Sequence, residues 1–150
     1  MPQSLARILL HITFSTKNRE PCLTPDIQAE LYRYIAGTLK ELNCPAIVVG
    51  GYADHVHLLF VLSRNIPVSK LVEEVKKSSS KWIKTKGPFL LNFHWQNGYS
   101  AFSVSQSNED VVRKYIEGQV EHHRKVTFQE ELRGFLEKHK VAFDEKYVWD

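Results

Sequence analysis

The chain has 150 residues, 43% hydrophobic and 25% charged, which is enough apolar material for one core and too short for two ordinary domains. The net charge of +3 and pI near 8.8 suit a polyanionic partner only if the lysines are gathered somewhere. Two cysteines, Cys22 and Cys44, exclude a disulfide scaffold, no apolar run reaches membrane-spanning length, and no basic, hydrophobic leader precedes the first strand, so a cytoplasmic protein with no membrane partner is expected.

Residues 5–14 alternate, with Ile8, Leu10, Ile12 and Phe14 on one face and Arg7, Leu9, His11 and Thr13 on the other, which predicts a strand. Thr24-Pro25-Asp26 then opens a helix carrying Ile27, Leu31, Ile35, Leu39 and Leu42 at helical spacing, closed by Pro45. A short β-branched run, residues 46–49, and the turn Gly50-Gly51-Tyr52-Ala53-Asp54 lead into His55-Val56-His57-Leu58-Leu59-Phe60, predicting an antiparallel hairpin. A second helix over 68–84 directs Leu71, Val75 and Trp82 inward and sets Lys70, Lys77, Lys81 and Lys84 along one outer face. Trp95-Gln96-Asn97-Gly98 reads as a turn before a strand at about 99–104, and Ser107-Asn108-Glu109-Asp110 reads as a capping box opening a third helix. Residues 128–150 form a C-terminal helix with Phe128, Leu132 and Phe135 and then an extended aromatic tail, as packing material or dimer surface of the single domain 1–150. The order βαββαβα is that of an α+β, ferredoxin-like or RRM-like sandwich with an antiparallel sheet.

Side chains alternate along a strand, so His55 and His57 share a face. Such a pair is either half a metal site or two hydrogen-bonded histidines on a half-buried sheet face. Tyr115 and Gln119, four residues apart, stack on one face of the third helix, with His122 and His123 following as rival ligands. His11 lies on the polar face of the first strand. The second-helix lysines suit phosphate contacts, and Trp95 and Tyr99 suit stacking on an unpaired base, although a solvated charged face and a packed tryptophan account for the same residues.

His11-Ile12-Thr13-Phe14, Asp54-His55-Val56-His57-Leu58-Leu59, the lysine- and serine-rich second helix, Trp95-Gln96-Asn97-Gly98-Tyr99 and Tyr115-Ile116-Glu117-Gly118-Gln119 occur here in one order. In that combination the chain resembles the single-tyrosine HUH transposases of small insertion sequences, the IS200-like family. It departs at Asp54, where many relatives carry asparagine. The resemblance implies an HUH endonuclease fold and a transposase that nicks and rejoins single-stranded DNA at hairpin-bearing ends. Tyr115 would be the nucleophile, giving a 5′-phosphotyrosine, and His55, His57 and Gln119 would hold magnesium or manganese, although two imidazoles suit zinc as well. Lys70, Lys77, Lys81, Lys84, Trp95 and Tyr99 would contact DNA. The resemblance further implies a homodimer through joined sheets, and the connections on either side of the Tyr115 helix suggest sites that pair one subunit's histidines with the other's Tyr115. Two other functions fit the residues: a catalytically silent or domesticated module binding DNA or RNA hairpins, and a metallo-phosphoesterase acting on small substrates. Salt-dependent binding of a long oligonucleotide separates the phosphoesterase from the other two.

Overall fold

In the computed structural model, which describes residues 2–150, four strands form one antiparallel sheet in the order β2-β3-β1-β4. They are β1 (Ile8–Ser15), β2 (Ala46–Tyr52), β3 (His55–Leu62) and β4 (Ser100–Val104). Helix α1 (Pro25–Glu41) joins β1 to β2 and α2 (Val68–Ile83) joins β3 to β4, the ferredoxin-like connectivity read from the hydrophobic periods. Ile12, Phe14, Val56, Leu58 and Phe60 meet Leu31, Ile35, Leu39, Leu71, Val75 and Ile83 in the main core, so α1 and α2 cover one face of the sheet. Ile83 fills the inward position expected of Trp82, which lies half-buried at the margin, stacked on Tyr34 with ring centroids 5.4 Å apart.

The opposite face carries Leu9, His11, Thr13, His55, His57 and Phe102. It is closed by α3 (Glu109–Glu117), α4 (Gln119–His122) and α5 (Phe128–Lys138). A second apolar cluster, Phe102, Phe128, Leu132 and Leu136, joins α5 to β4, and Phe143, Val148 and Trp149 of the tail pack against it. The tail is therefore packing material, and its last residues run in turns, with Val148 N bonded to Asp144 O, rather than extended. The capping box is absent: α3 starts after Asn108 with no side-chain cap. Arg7 at the foot of β1 pairs with Glu109 in that first turn at 3.0 Å instead. The side-chain cap appears at α5, where Thr127 accepts from Glu130 N.

Register places Thr13 and Gly50 on either side of His57, and Ser15 and Tyr52 on either side of His55. Gly50 matters because α3 crosses directly above it. A Cβ there would lie 2.8 Å from Ile116 Cγ2 and 2.9 Å from the Ile116 carbonyl oxygen, and backbone does not yield as a side-chain tip does. Gly50→Ala is expected to cost about 1–3 kcal/mol in urea unfolding by this overpacking, and to displace neighbouring Tyr115. Gly37→Ala, exposed on α1 with nothing within 4 Å of the new Cβ, should stabilise by about 0.5–1 kcal/mol in the same measurement.

Candidate active site

His55 and His57 stand on the floor beneath α3, α4 and α5, each 0% exposed. The pair is more deeply covered than the half-buried sheet face that sequence offered as one reading, because Phe128 and Glu131 of α5 lie against it. Each ring is fixed at Nδ1 and presents Nε2 to the interior. His55 Nδ1 lies 2.7 Å from Asp54 Oδ1 and its Nε2 lies 2.9 Å from Gln119 Oε1. His57 Nδ1 lies 2.7 Å from His11 Nε2 and its Nε2 lies 2.9 Å from Glu131 Oε1. An ionised carboxylate only accepts, so His57 donates from Nε2 to Glu131 and accepts at Nδ1 from His11. Both rings are neutral in this chain of hydrogen bonds. Burial, with His57 beside it, pushes the His11 pKa well below the usual histidine range, and burial lowers that of His57 against the pull of Glu131. Asp54 and His11, which sequence alone left without a role, are thus the outer partners that orient the two histidines.

Tyr115 and Gln119 come from two short helices rather than one. The chain turns at Gly118, which closes α3 through its N–H to Lys114 O at 3.0 Å and starts α4 by accepting from His122 N at 3.0 Å. The helical offset survives the turn, and both side chains reach the same point. Gln119 Oε1 faces His55 Nε2 and, at 2.8 Å, His123 Nε2, while its amide donates to Glu131 Oε2 at 3.0 Å. The Tyr115 hydroxyl donates to Glu131 and lies 3.2 Å from His122 Nε2, and its ring meets His57 edge-on at 6.0 Å. All of this occurs within one chain. Within the single chain, Tyr115 therefore lies beside its own His57.

Glu131 joins the two halves, and the sequence reading did not find it. Its signal was an acid within the apolar stripe Phe128, Leu132, Phe135, Leu136 of an amphipathic helix, a position that normally faces the core. Burial alone would raise its pKa, but hydrogen bonds from His123 and His57 reverse this and hold it well below the usual carboxylate range. The same carboxylate, with the Val126 carbonyl, raises His123 against its own burial. Tyr115 is held well above the usual phenol range, first by burial and then by the Glu131 charge. Among the described residues, His55, His57, His123 and Glu131 each bring a ligand atom within 4.8 Å of the others.

The expected DNA contacts are dispersed. Lys77 and Lys81 are exposed and Lys84 half-exposed on α2, across the sheet from the histidines, and Lys70 pairs within its own helix with Glu74 at 3.2 Å and Glu73 at 3.7 Å. Trp95, 6% exposed, is core rather than a stacking platform: Phe14 and Phe93 meet its ring edge-on at 4.9 Å, and its Nε1 donates to Ser79 at 3.0 Å. Tyr99 is exposed. Lys76, outside the lysine face read from the sequence, binds the turn before β4 by donating to the carbonyls of Gln96 and Gly98 at 2.7 and 2.6 Å. Desolvation lowers its pKa to about 8. No helix among the described residues is long and apolar enough to cross a membrane.

Comparison with curated proteins finds no match. Solved structures do match. A protein assigned as a transposase in Deinococcus radiodurans R1 superposes with a TM-score of 0.62 at 20% identity, covering 79% of this chain and 98% of that one. A REP-associated tyrosine transposase bound to a REP hairpin superposes with a TM-score of 0.61 at 17% identity, covering 96% of this chain and 91% of that one. At such identities these likenesses establish the fold. The family profile described as "Transposase IS200 like" matches residues 4–119, a span running from β1 through both histidines to Gln119, and the chain belongs to that family.

Proposed function

We propose that this transposase nicks and rejoins single-stranded DNA at hairpin-bearing ends, with Tyr115 as nucleophile and a divalent cation held by His55, His57 and Gln119, the chain 1–150 working as one domain. The observation that carries this is the placing of the Tyr115 hydroxyl and the two histidine Nε2 atoms around one carboxylate in a single chain. The donors fit a cation once the proton that His57 Nε2 gives to Glu131 has left. His55 gives its Nδ1 hydrogen to Asp54, so in its neutral form Nε2 carries a lone pair facing the Gln119 oxygen 2.9 Å away, an opposition of acceptors that a shared cation relieves. His123 and Glu131 can complete the shell, and a set this rich in imidazole suits manganese better than magnesium. Bound there, the ion would polarise the scissile phosphate and offset charge developing on it.

The remaining steps belong to the chain's own groups. Tyr115 is protonated here, so attack requires its proton to leave, and Glu131 and His122 both lie within reach of the hydroxyl to accept it. The tyrosine oxygen forms a bond to phosphorus, the bond from phosphorus to the 3′ oxygen breaks, and the leaving oxygen takes up a proton. The 5′-phosphotyrosine ester keeps the energy of the phosphodiester, and a 3′-hydroxyl reverses the step to rejoin strands without ATP. Dimerisation through a sheet edge is compatible with this and is not required by it, because the single chain brings the nucleophile and the histidines together.

The experiment is denaturing electrophoresis of labelled single-stranded DNA incubated with the protein. A covalent adduct should form with manganese and disappear with EDTA; strong oligonucleotide binding without an adduct would favour the silent hairpin-binding module. Lys77, Lys81 and Lys84 lie far from the chemistry and suit the stem of a hairpin. Replacing all three with alanine should weaken hairpin binding and reduce the slope of log K against log salt by about 0.9 for each lost phosphate contact, read by anisotropy at several salt concentrations.

A further inference from the structure

One cleft shares its wall with the histidine cluster. It lies between the β2–β3 turn and the connection from α4 to α5, is lined by Tyr52, Asp54, His123, Arg124, Lys125 and Phe128, and has a volume of about 310 Å³. Asp54, His123 and Phe128 are also neighbours of His55: Asp54 bonds its Nδ1, and the His123 and Phe128 rings lie 4.4 and 4.6 Å from its ring. Whatever occupies the cleft is one residue's thickness from the metal ligands. Arg124 and Lys125 are exposed at its mouth, and Arg124 has one weak offset, Glu121 at 3.1 Å on its own helical turn. Tyr52 is half-exposed, its ring stacked on His123 at 5.5 Å. Two cations beside an aromatic ring is the pairing that holds an unpaired nucleotide, phosphate on the cations and base on the ring, without reading sequence. The volume is that of a pocket for one small ligand, not for a duplex.

We infer that this cleft binds the single-stranded nucleotide flanking the scissile phosphate, with Arg124 and Lys125 on its phosphates and Tyr52 against its base. The inference rests on the proposed action on single-stranded DNA. It assigns the strand to the α4–α5 side of the sheet, and leaves the α2 lysines, on the opposite side, to a hairpin stem. A strand bound here has its backbone led past His123 towards the His55 and His57 nitrogens. No lysine of α2 can supply that guidance.

The test uses the full chain in EDTA, so that binding is measured without chemistry, and two labelled probes: an unstructured oligo-thymidine and a blunt DNA hairpin with no single-stranded extension. Arg124→Ser with Lys125→Ser, and separately Tyr52→Leu, should each lower affinity for oligo-thymidine by about tenfold while changing hairpin affinity less than about twofold. The Lys77, Lys81 and Lys84 alanine variant should show the reverse preference. Unchanged oligo-thymidine affinity in both cleft variants, with wild-type protein binding that probe, would overturn the cleft assignment and leave the proposed function standing. Equal losses on both probes would also overturn it, as a general charge effect or a folding defect. Wild-type protein that binds neither probe would remove the proposed function and the cleft together.

Discussion

Tyr115→Phe is expected to abolish the covalent protein–DNA adduct while oligonucleotide affinity stays within about twofold, since the substitution deletes one oxygen and no phosphate-binding cation. The ring should stay in place, because Phe135 and His57 hold its edges at centroid distances of 5.6 and 6.0 Å. Glu131 loses one donor and keeps His57, His123 and Gln119. Stability should therefore change little, and circular dichroism melting is the control. The same variant decides between cis and trans sites. Mixing Tyr115→Phe with His57→Ala gives a complete site in a heterodimer only if subunits exchange tyrosines; with Tyr115 beside its own His57, the mixture should remain inactive. Recovery of cleavage on mixing would show that the working site is shared.

His57→Ala should remove the stabilisation that manganese confers. An ion that binds only the folded chain at a hundredfold excess over its Kd adds about 2.7 kcal/mol, on the order of 5–10 °C in Tm for a chain of this size. Wild-type protein should show that rise, and His57→Ala and His55→Ala should not. The two differ without metal. His57 is a hydrogen-bond donor to the buried Glu131 carboxylate, whereas His55 faces the neutral Gln119 oxygen. Losing His57 therefore leaves a buried charge underpaired and should cost the apo protein more than losing His55. An undiminished manganese rise in His57→Ala would place the ion elsewhere. Asp54 and His11 act through the rings they hold, so Asp54→Ala and His11→Leu should each weaken manganese binding by about 10–100-fold and leave the ligands themselves in place.

The strands and helices and their order along the chain were legible because periods of two and 3.6 are written in residues with one buried face, such as Ile12, Phe14, Val56 and Leu58, or Leu31, Ile35 and Leu39. His55, His57, Tyr115 and Gln119 were legible as motif positions, and the fold brings them together. Contacts set by long-range packing were not. Glu131 is linked to Tyr115 by the docking of α5 on Phe102, which no spacing in the chain announces. Trp95 suited either a stacking platform or a packed indole, and the fold takes the second, anchoring it to Ser79 between Phe14 and Phe93. The α2 lysines do share a helical face, but amphipathicity says only that such a face points away from its own core. It does not say on which side of the sheet the chemistry lies.

Attack by Tyr115 on a DNA phosphate is tested most directly by mapping the adduct. Protein reacted with single-stranded DNA and manganese is digested with nuclease and protease, and the peptide retaining a nucleotide is sequenced by mass spectrometry. The nucleotide should sit on the peptide containing Tyr115, joined through a 5′ phosphate to the tyrosine oxygen. A nucleotide on any other residue, or cleavage that leaves no peptide modified, would contradict it.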